Sequence, residues 1–551
     1  MNAFKFLFLF TAMSAISLFA EFGKTPFGWG DFRFGLVSNG LPYNPTVPLS
    51  FDTRRLKVAT EELGIKIAYR YRYVNEGVDP RENACVNLFP WAWDNNYSKK
   101  AKELAGVESA YVIYVLQEEG GRTKLLANMN DPEKSRLFFW TLQKVAENAN
   151  GYGSTIIVEP DTWGYFLQDA NNSSVGWNGL EVDPTKIPAK VNNLESFTIN
   201  DSSVIRPNPN APWETDTMVT QKTISFEYLS DLPNTMAGFG VAIIRTMHKF
   251  APDCYVGFLA SHWSVNLPGW SEKGLAWSSP ELIDASAQAN VEFFSKMYGF
   301  SDPAITLKSG DRADFIGVEK NGWCAGEYEV KKNNTDWYWD DAGMEKYLAW
   351  TKKIAQGLDL PVIGWQISIG NMDNPNVANG SQFANAWKDT FFPYFFNNVN
   401  KFIDAGFIGF LVGKGLAEGT DYTLPSENIG EKGWFFNQLI EFDKNRPYYT
   451  KSDEIEGGGS DTKILSPNTD AKIAGKSANS VVASVSAKGL NISLPSLGNA
   501  NVFVYNVSGK IVYKTTINKS ATIPVDNFKR GVYFVKTEFY GKNFVSKILL
   551  K

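Results

Sequence analysis

Between residues 25 and 450, short aliphatic or aromatic runs alternate with longer segments in which apolar residues recur every three or four positions. Runs that are apolar on both faces suit strands buried beneath helices, and the longer segments read as crossover helices between parallel neighbours. Eight candidate strands fall at 26–32, 65–73, 109–116, 154–159, 254–260, 312–319, 361–367 and 406–412. In the segment from Asp131 to Ala149, residues Phe138, Leu142, Val145, Ala146 and Ala149 share one helical face. Further helices are expected from Met236 to Phe250, Pro280 to Met297, Met344 to Leu358 and Phe395 to Ile403. Eight strand–helix repeats predict an α/β chain folded as a (β/α)8 TIM barrel. The stretch from Asp169 to Thr223, rich in Asn, Pro and Ser, is too long for an ordinary connection and predicts an elaboration on the strand-four exit. An open doubly wound sheet is the alternative, but no Gly-x-Gly-x-x-Gly follows the first strand and no Gly-Lys-Ser/Thr phosphate loop is present.

The rhythm changes after Thr450. Residues 451–474, with Gly457-Gly458-Gly459-Ser460 at their centre, carry too little apolar area to fold and read as a linker. Residues 475–551 are short period-two runs, among them Asn501 to Val507, Lys510 to Lys514 and Gly531 to Thr537, with Ser508-Gly509 placed to turn a hairpin. That pattern predicts a small antiparallel β-sandwich. At the other end, Lys5 precedes the apolar run Phe6 to Phe10, and Ala20 offers a small residue before the polar start Glu21-Phe22-Gly23-Lys24. Residues 1–20 read as an export signal, leaving 21–450 as the barrel domain; a retained lipid-facing anchor is the other reading. No later segment approaches eighteen uninterrupted apolar residues, so an integral membrane protein is not expected.

Composition narrows the chemistry. With 54 basic and 59 acidic side chains, a formal charge of -5 and no long basic run, the chain lacks the electrostatic footprint of a nucleic-acid binder. Three cysteines are too few for a disulfide-built scaffold and too widely spaced for a structural zinc site. Two histidines argue against a His-based metal centre, no Gly-x-Ser-x-Gly elbow supports a Ser-His-Asp hydrolase, and no ordered calcium loop is written; neither metal nor cofactor is expected. Aromatic residues make up 14% of the chain, including 17 Trp, so some rings are expected to face a ligand.

In a barrel the working residues stand at the carboxyl ends of strands and on the loops that follow. Strand four runs into Glu159-Pro160-Asp161-Thr162-Trp163, so either Glu159 or Asp161 should reach the cavity. Strand six ends in Glu319, an acid that is costly there unless hydrogen-bonded or used. Glycosidic bond cleavage needs two carboxyl groups across the sugar, and Glu159 and Glu319 are the expected pair, with Asp161 or His262 assisting. In Tyr69-Arg70-Tyr71-Arg72-Tyr73, rings and guanidinium groups alternate, so Arg70 and Arg72 are candidates for the cavity or for a solvated face. Trp91, Trp93, Trp163, His262, Trp263, Trp323, Trp337, Trp365 and Gln366 fall near strand exits or upper loops, where indole faces could stack on sugar rings and polar groups could bind hydroxyls. His248 reads as structural, and Asp341 as a helix cap.

The tail segments Val504-Tyr505-Asn506-Val507-Ser508-Gly509-Lys510 and Phe528-Lys529-Arg530-Gly531-Val532-Tyr533-Phe534, with a closing strand to Lys551, resemble the C-terminal sorting and surface-attachment domain of exported Bacteroidetes proteins. The resemblance implies export and surface-sorting machinery as partners, and a secreted or cell-surface location. The barrel with its acids and aromatic rim resembles bacterial glycoside hydrolases of the barrel type, and Glu159-Pro160-Asp161 is similar to a motif of cellulose-cleaving family-six enzymes. It departs from the largest retaining clan, which has Asn-Glu at strand four and Glu at strand seven; here Val158 precedes Glu159 and strand seven reads Trp365-Gln366-Ile367. The resemblance implies a secreted hydrolase of cellulose or hemicellulose, with a polysaccharide or oligosaccharide substrate. The alternative is a non-catalytic polysaccharide-binding or surface-attachment protein, which needs the aromatics but not the acids.

Overall fold

In the computed structural model eight parallel strands close into a barrel in the order β1-β10-β9-β8-β7-β4-β3-β2. Along the chain these are β1 (Arg33–Val37), β2 (Tyr69–Val74), β3 (Glu108–Ile113) and β4 (Thr155–Val158). An antiparallel hairpin of β5 (Phe197–Pro207) and β6 (Thr215–Ile224) follows, then β7 (Tyr255–Ala260), β8 (Phe315–Glu319), β9 (Val362–Ile367) and β10 (Phe407–Val412). The structure describes residues 31–37, 51–75, 77–81, 97–169, 182–207, 215–265, 267–271, 273–320, 339–367, 369, 390–413, 424–426 and 433–446. In the tail it describes 482–486, 489–493, 500–506, 510–517, 521–523, 528, 531–539 and 542–550. The expected signal, the linker at 451–474, the Ser508-Gly509 turn and residues Trp91, Trp93, Trp323 and Trp337 lie outside the described residues. Among the described residues no helix is long and apolar enough to cross a membrane.

The barrel strands are buried along nearly their whole length, as parallel strands covered by helices must be. The hairpin is the elaboration expected after the fourth barrel strand. The first strand lies at Arg33–Val37 instead of 26–32, because Phe32, Phe34 and Leu36 hold the buried positions and Phe34 pairs in register with Phe410. The long helices match their periodicity. Pro132–Ala149 starts on Asp131, whose carboxylate accepts from the Glu133 and Lys134 amides at 2.8 and 3.3 Å. Helix Asp341–Leu358 is capped by Asp340, which accepts from the Gly343 amide at 2.8 Å, so the cap sits one residue before Asp341. The helix expected from Phe395 to Ile403 is two short helices, Phe391–Asn397 and Val399–Asp404. Asn398 breaks it, donating its side-chain amide to the Tyr394 carbonyl at 2.9 Å in competition with the backbone.

Much of the aromatic surplus is core. Phe32, Phe34 and Phe410 pack on Phe391, Phe392, Phe395 and Phe442, with Phe395 and Phe410 ring centroids 5.0 Å apart. Each fully buried ring contributes about 2–3 kcal/mol of transfer free energy to the seam where β1 meets β10. Arg446, 4% exposed, follows the helix Trp434–Asp443. It donates to the carbonyls of Phe32 and, at 2.9 Å, of Lys66, while Asp443 accepts from the same guanidinium. The last helix is thus tied to the starts of the first two strands.

The chain divides into two compact units, Met1–Pro467 and Asn468–Lys551. The second contains a three-stranded sheet of β11 (Val482–Ser486), β12 (Gly489–Ser493) and β15 (Ala521–Ile523), and a four-stranded sheet of β13 (Ala500–Asn506), β14 (Ile511–Ile517), β16 (Gly531–Phe539) and β17 (Lys542–Leu550). All pairings are antiparallel. Leu490, Ile492 and Ile523 from one sheet share a core with Val502, Val504, Val535 and Ile548 from the other, which makes the unit a small sandwich.

Candidate active site

At the exit of β4 the chain turns sharply. Glu159 adopts φ 50°, in the left-handed region, and its backbone amide donates to the Ile113 carbonyl at 2.7 Å. The turn buries the Glu159 side chain against the exit of β3. Its Oε1 accepts from the Val115 and Leu116 amides at 2.6 and 2.7 Å; its Oε2 accepts from the Gln117 amide at 3.3 Å and the Thr162 hydroxyl at 3.0 Å. Burial pushes the group up to about 7, against the pull of these four donors.

Two residues on, Asp161 lies in the first turn of helix Pro160–Asp169 and is only partly buried. Its Oδ2 accepts from the Tyr114 hydroxyl at 3.0 Å. Glu319, 1% exposed at the end of β8, accepts at Oε1 from the Trp263 indole N–H, with the Ser261 hydroxyl beside it. Trp263 can lie there because Gly164 has no side chain: a Cβ at that position would stand 2.7 Å from the indole. The two carboxyls feel each other. Burial raises both above the ordinary carboxylate range, and the negative charge of Asp161 raises Glu319 further.

The wall opposite is aromatic. Tyr73 at the end of β2, Tyr114 just after β3 and Trp365 on β9 form a triangle of rings with centroids 6.1–6.3 Å apart. Gln366 is in the left-handed region at φ 53°, and β10 pairing skips from Trp365 to Ile367. This bulge brings two consecutive side chains to the same wall, since Trp365 meets the Tyr73 ring and Gln366 Nε2 donates to the Tyr73 hydroxyl at 3.0 Å. Tyr73 and Tyr114 both stay protonated, raised first by burial and further by Asp161 and Glu319.

The structure therefore brings together Asp161, Glu319, Trp263, Trp365 and Gln366 at the carboxyl ends of the strands, with Glu159 buried alongside. Other candidates go elsewhere. Arg70 and Arg72 take the outer face of β2, 4.7 and 5.3 Å over the Tyr97 ring, while Tyr71 and Tyr73 turn inward. Trp163 is fully buried, donates to the Val158 carbonyl at 3.0 Å and packs 5.0 Å from Phe258 in the layer between sheet and helix. His262 stands edge-on to Trp339, Tyr347 and Trp350, and among the described residues neither ring nitrogen has a hydrogen-bond partner. Burial and the nearby Lys320 hold its imidazole neutral, down to about 3. His248 binds the Gly310 carbonyl and Asp314 at 2.7 and 2.8 Å. Tyr114, Ser261 and Lys320 were not singled out by sequence reasoning. Their only signal was adjacency to a strand end, which Tyr114 and Ser261 share with many core residues.

Residues 486–551 match the secretion system C-terminal sorting domain. The C-terminal unit is a sorting domain. The protein is accordingly secreted or held at the cell surface. A search of curated proteins finds no match to the chain. Among solved structures, it is similar to an endo-beta-1,4-mannanase double mutant of Cellulomonas fimi, at 10% identity and a TM-score of 0.36, covering 95% of this chain and 94% of that one. It is also similar to the endo-beta-1,4-mannanase from Thermotoga petrophila, at 12% identity and a TM-score of 0.32, covering 95% and 98%. A beta-glucosidase from Thermotoga maritima gives 11% identity and a TM-score of 0.36, covering 76% and 98%.

Proposed function

We propose that the barrel is a glycoside hydrolase that cleaves plant cell-wall β-glycans, cellulose or hemicellulose, outside the cell. The observation that carries this reading is the pairing of Asp161 and Glu319 at the exits of the fourth and sixth barrel strands, where both carboxyls are raised and one feels the charge of the other. Two carboxyls that cannot both ionise at neutral pH share a proton, and glycosidic cleavage uses one protonated and one ionised group.

Glu319 keeps the proton, since it is the more deeply buried and carries the extra cost of its neighbour's charge. The Trp263 N–H holds the carboxyl in place through Oε1, and Glu319 gives its proton to the leaving glycosidic oxygen as the C–O bond breaks. Asp161, with the Tyr114 O–H stabilising its charged form, attacks the anomeric carbon or takes a proton from the attacking water. Water supplies the hydroxyl and proton that complete hydrolysis. The partly exposed rings of Trp263 and Tyr165, 5.3 Å apart, offer a face for a pyranose. An extended polymer is favoured as substrate because the sorting domain delivers the barrel to where such polymers are found.

The test is product analysis after incubating the signal-free protein with cellulose, mixed-linkage glucan, xylan, mannan and xyloglucan, beside Glu319→Gln and Asp161→Asn. Oligosaccharides from the parent alone support the reading. Release undiminished in both variants removes the carboxyl pair from the chemistry, and no release from any polymer favours a binding protein.

A further inference from the structure

We propose that Glu159 is a positioning residue, which holds the exit of β3 against the exit of β4 so that Tyr114 meets Asp161. The inference rests on the carboxyl pair assigned above. A carboxylate has about four lone-pair sites, and in Glu159 all are occupied: two backbone amides on Oε1, a third amide and a hydroxyl on Oε2. A general acid needs a proton aimed at the substrate, and a nucleophile needs an open lone pair. Glu159 offers neither.

What the four donors accomplish is mechanical. Val115, Leu116 and Gln117 belong to the turn that follows β3, and Thr162 to the first turn of the helix that carries Asp161. Tyr114 is the residue before that turn, anchored on its other side by its own amide, which donates to the Val74 carbonyl at 2.7 Å. The carboxylate thus joins two segments more than forty residues apart, with Tyr114 on one and Asp161 on the other. The left-handed backbone at Glu159 makes the link possible by turning the side chain back toward β3, a conformation that costs a non-glycine residue about 1 kcal/mol or more. Four charge-assisted bonds offset that cost.

Two measurements test this, one of which needs no activity. In the first, the midpoint of Asp161 is followed by carboxyl 13C NMR across pH in the parent, Glu159→Ala, Tyr114→Phe and the double variant. The hydroxyl of Tyr114 lowers the Asp161 midpoint, so each single substitution raises it, and the double raises it no further than Tyr114→Phe alone. An Asp161 midpoint unmoved in Glu159→Ala, with the fold intact by circular dichroism, overturns the proposal even if the protein cleaves no glycan. In the second, Glu159→Gln, which keeps an acceptor for two of the three amides, holds kcat within about tenfold of the parent with both limbs of its pH profile in place. Glu319→Gln loses on the order of 10^3-fold. A loss in Glu159→Gln equal to that of Glu319→Gln makes it a reacting carboxyl and overturns the proposal while leaving the hydrolase reading standing.

Discussion

The indole N–H of Trp263 donates to Oε1 of Glu319, and the bare Cα of Gly164 is what leaves room for it. The bond favours the charged form of Glu319, so removing it should push the acid's midpoint up. Trp263→Phe is expected to shift the alkaline limb of the kcat/KM profile to higher pH and to lower the maximum by about tenfold or more. Gly164→Ala, which drives a methyl against the same indole, is expected to move the limb in the same direction. A profile unmoved in both variants removes Trp263 from the acid's environment.

Keeping Glu319 charged costs the folded state. Its folded midpoint lies above its unfolded one, so the native protein holds the proton more tightly and the penalty builds as pH rises above the unfolded value and is complete above the folded one. Glu319→Gln, isosteric and neutral, should therefore raise the melting temperature at pH 8 and change it little at pH 4. Calorimetry at the two pH values decides, and an equal effect at both contradicts the sign.

His262 works in the opposite sense. Its imidazole is neutral in the fold down to about 3 but titrates near 6.5 when unfolded, so stability is lost as pH falls through that window. At pH 4.5 the difference corresponds to about 2–3 kcal/mol. His262→Phe, in a wall already built from Trp339, Tyr347 and Trp350, should blunt the loss of stability between pH 7 and 4.5 measured by urea unfolding. An unchanged slope would place the acid sensitivity elsewhere.

Arg446→Ala should destabilise the barrel by about 2–3 kcal/mol, because it strands the buried Phe32 carbonyl and removes the guanidinium's bonds to the Lys66 carbonyl and the Asp443 carboxylate. Arg446→Lys is expected to recover little, since one ammonium cannot reach the Phe32 and Lys66 carbonyls as a planar fork does. Chemical denaturation of the two variants provides the comparison.

The barrel was legible because buried parallel strands leave runs such as Ile156-Ile157-Val158 and Phe407 to Val412 that no amphipathic helix would carry. The first strand was misplaced because aromatic residues also crowd the segment before it, and periodicity cannot say which of two such runs pairs with Phe410. Asp161 and Glu319 could be read as candidates from their position after strand ends. What could not be read was the difference between Glu159 and Asp161, since it depends on amides contributed by the β3 exit more than forty residues earlier. The tyrosines were hidden for a related reason: a Tyr in an apolar strand looks like core until the opposite acid is known. Arg70 and Arg72 show the limit of alternation, which separates two faces without saying which is the inner one.

Arg446 also sets an order of events during synthesis. Its bonds reach back 414 residues to Phe32 and 380 to Lys66, so the first two strands, though paired with each other, gain this tie only when almost the entire barrel has been made. Contacts of such separation are the slowest to form. The sorting domain is made later still. In this late-arriving guanidinium the barrel has a clasp that closes only near the end of its own translation.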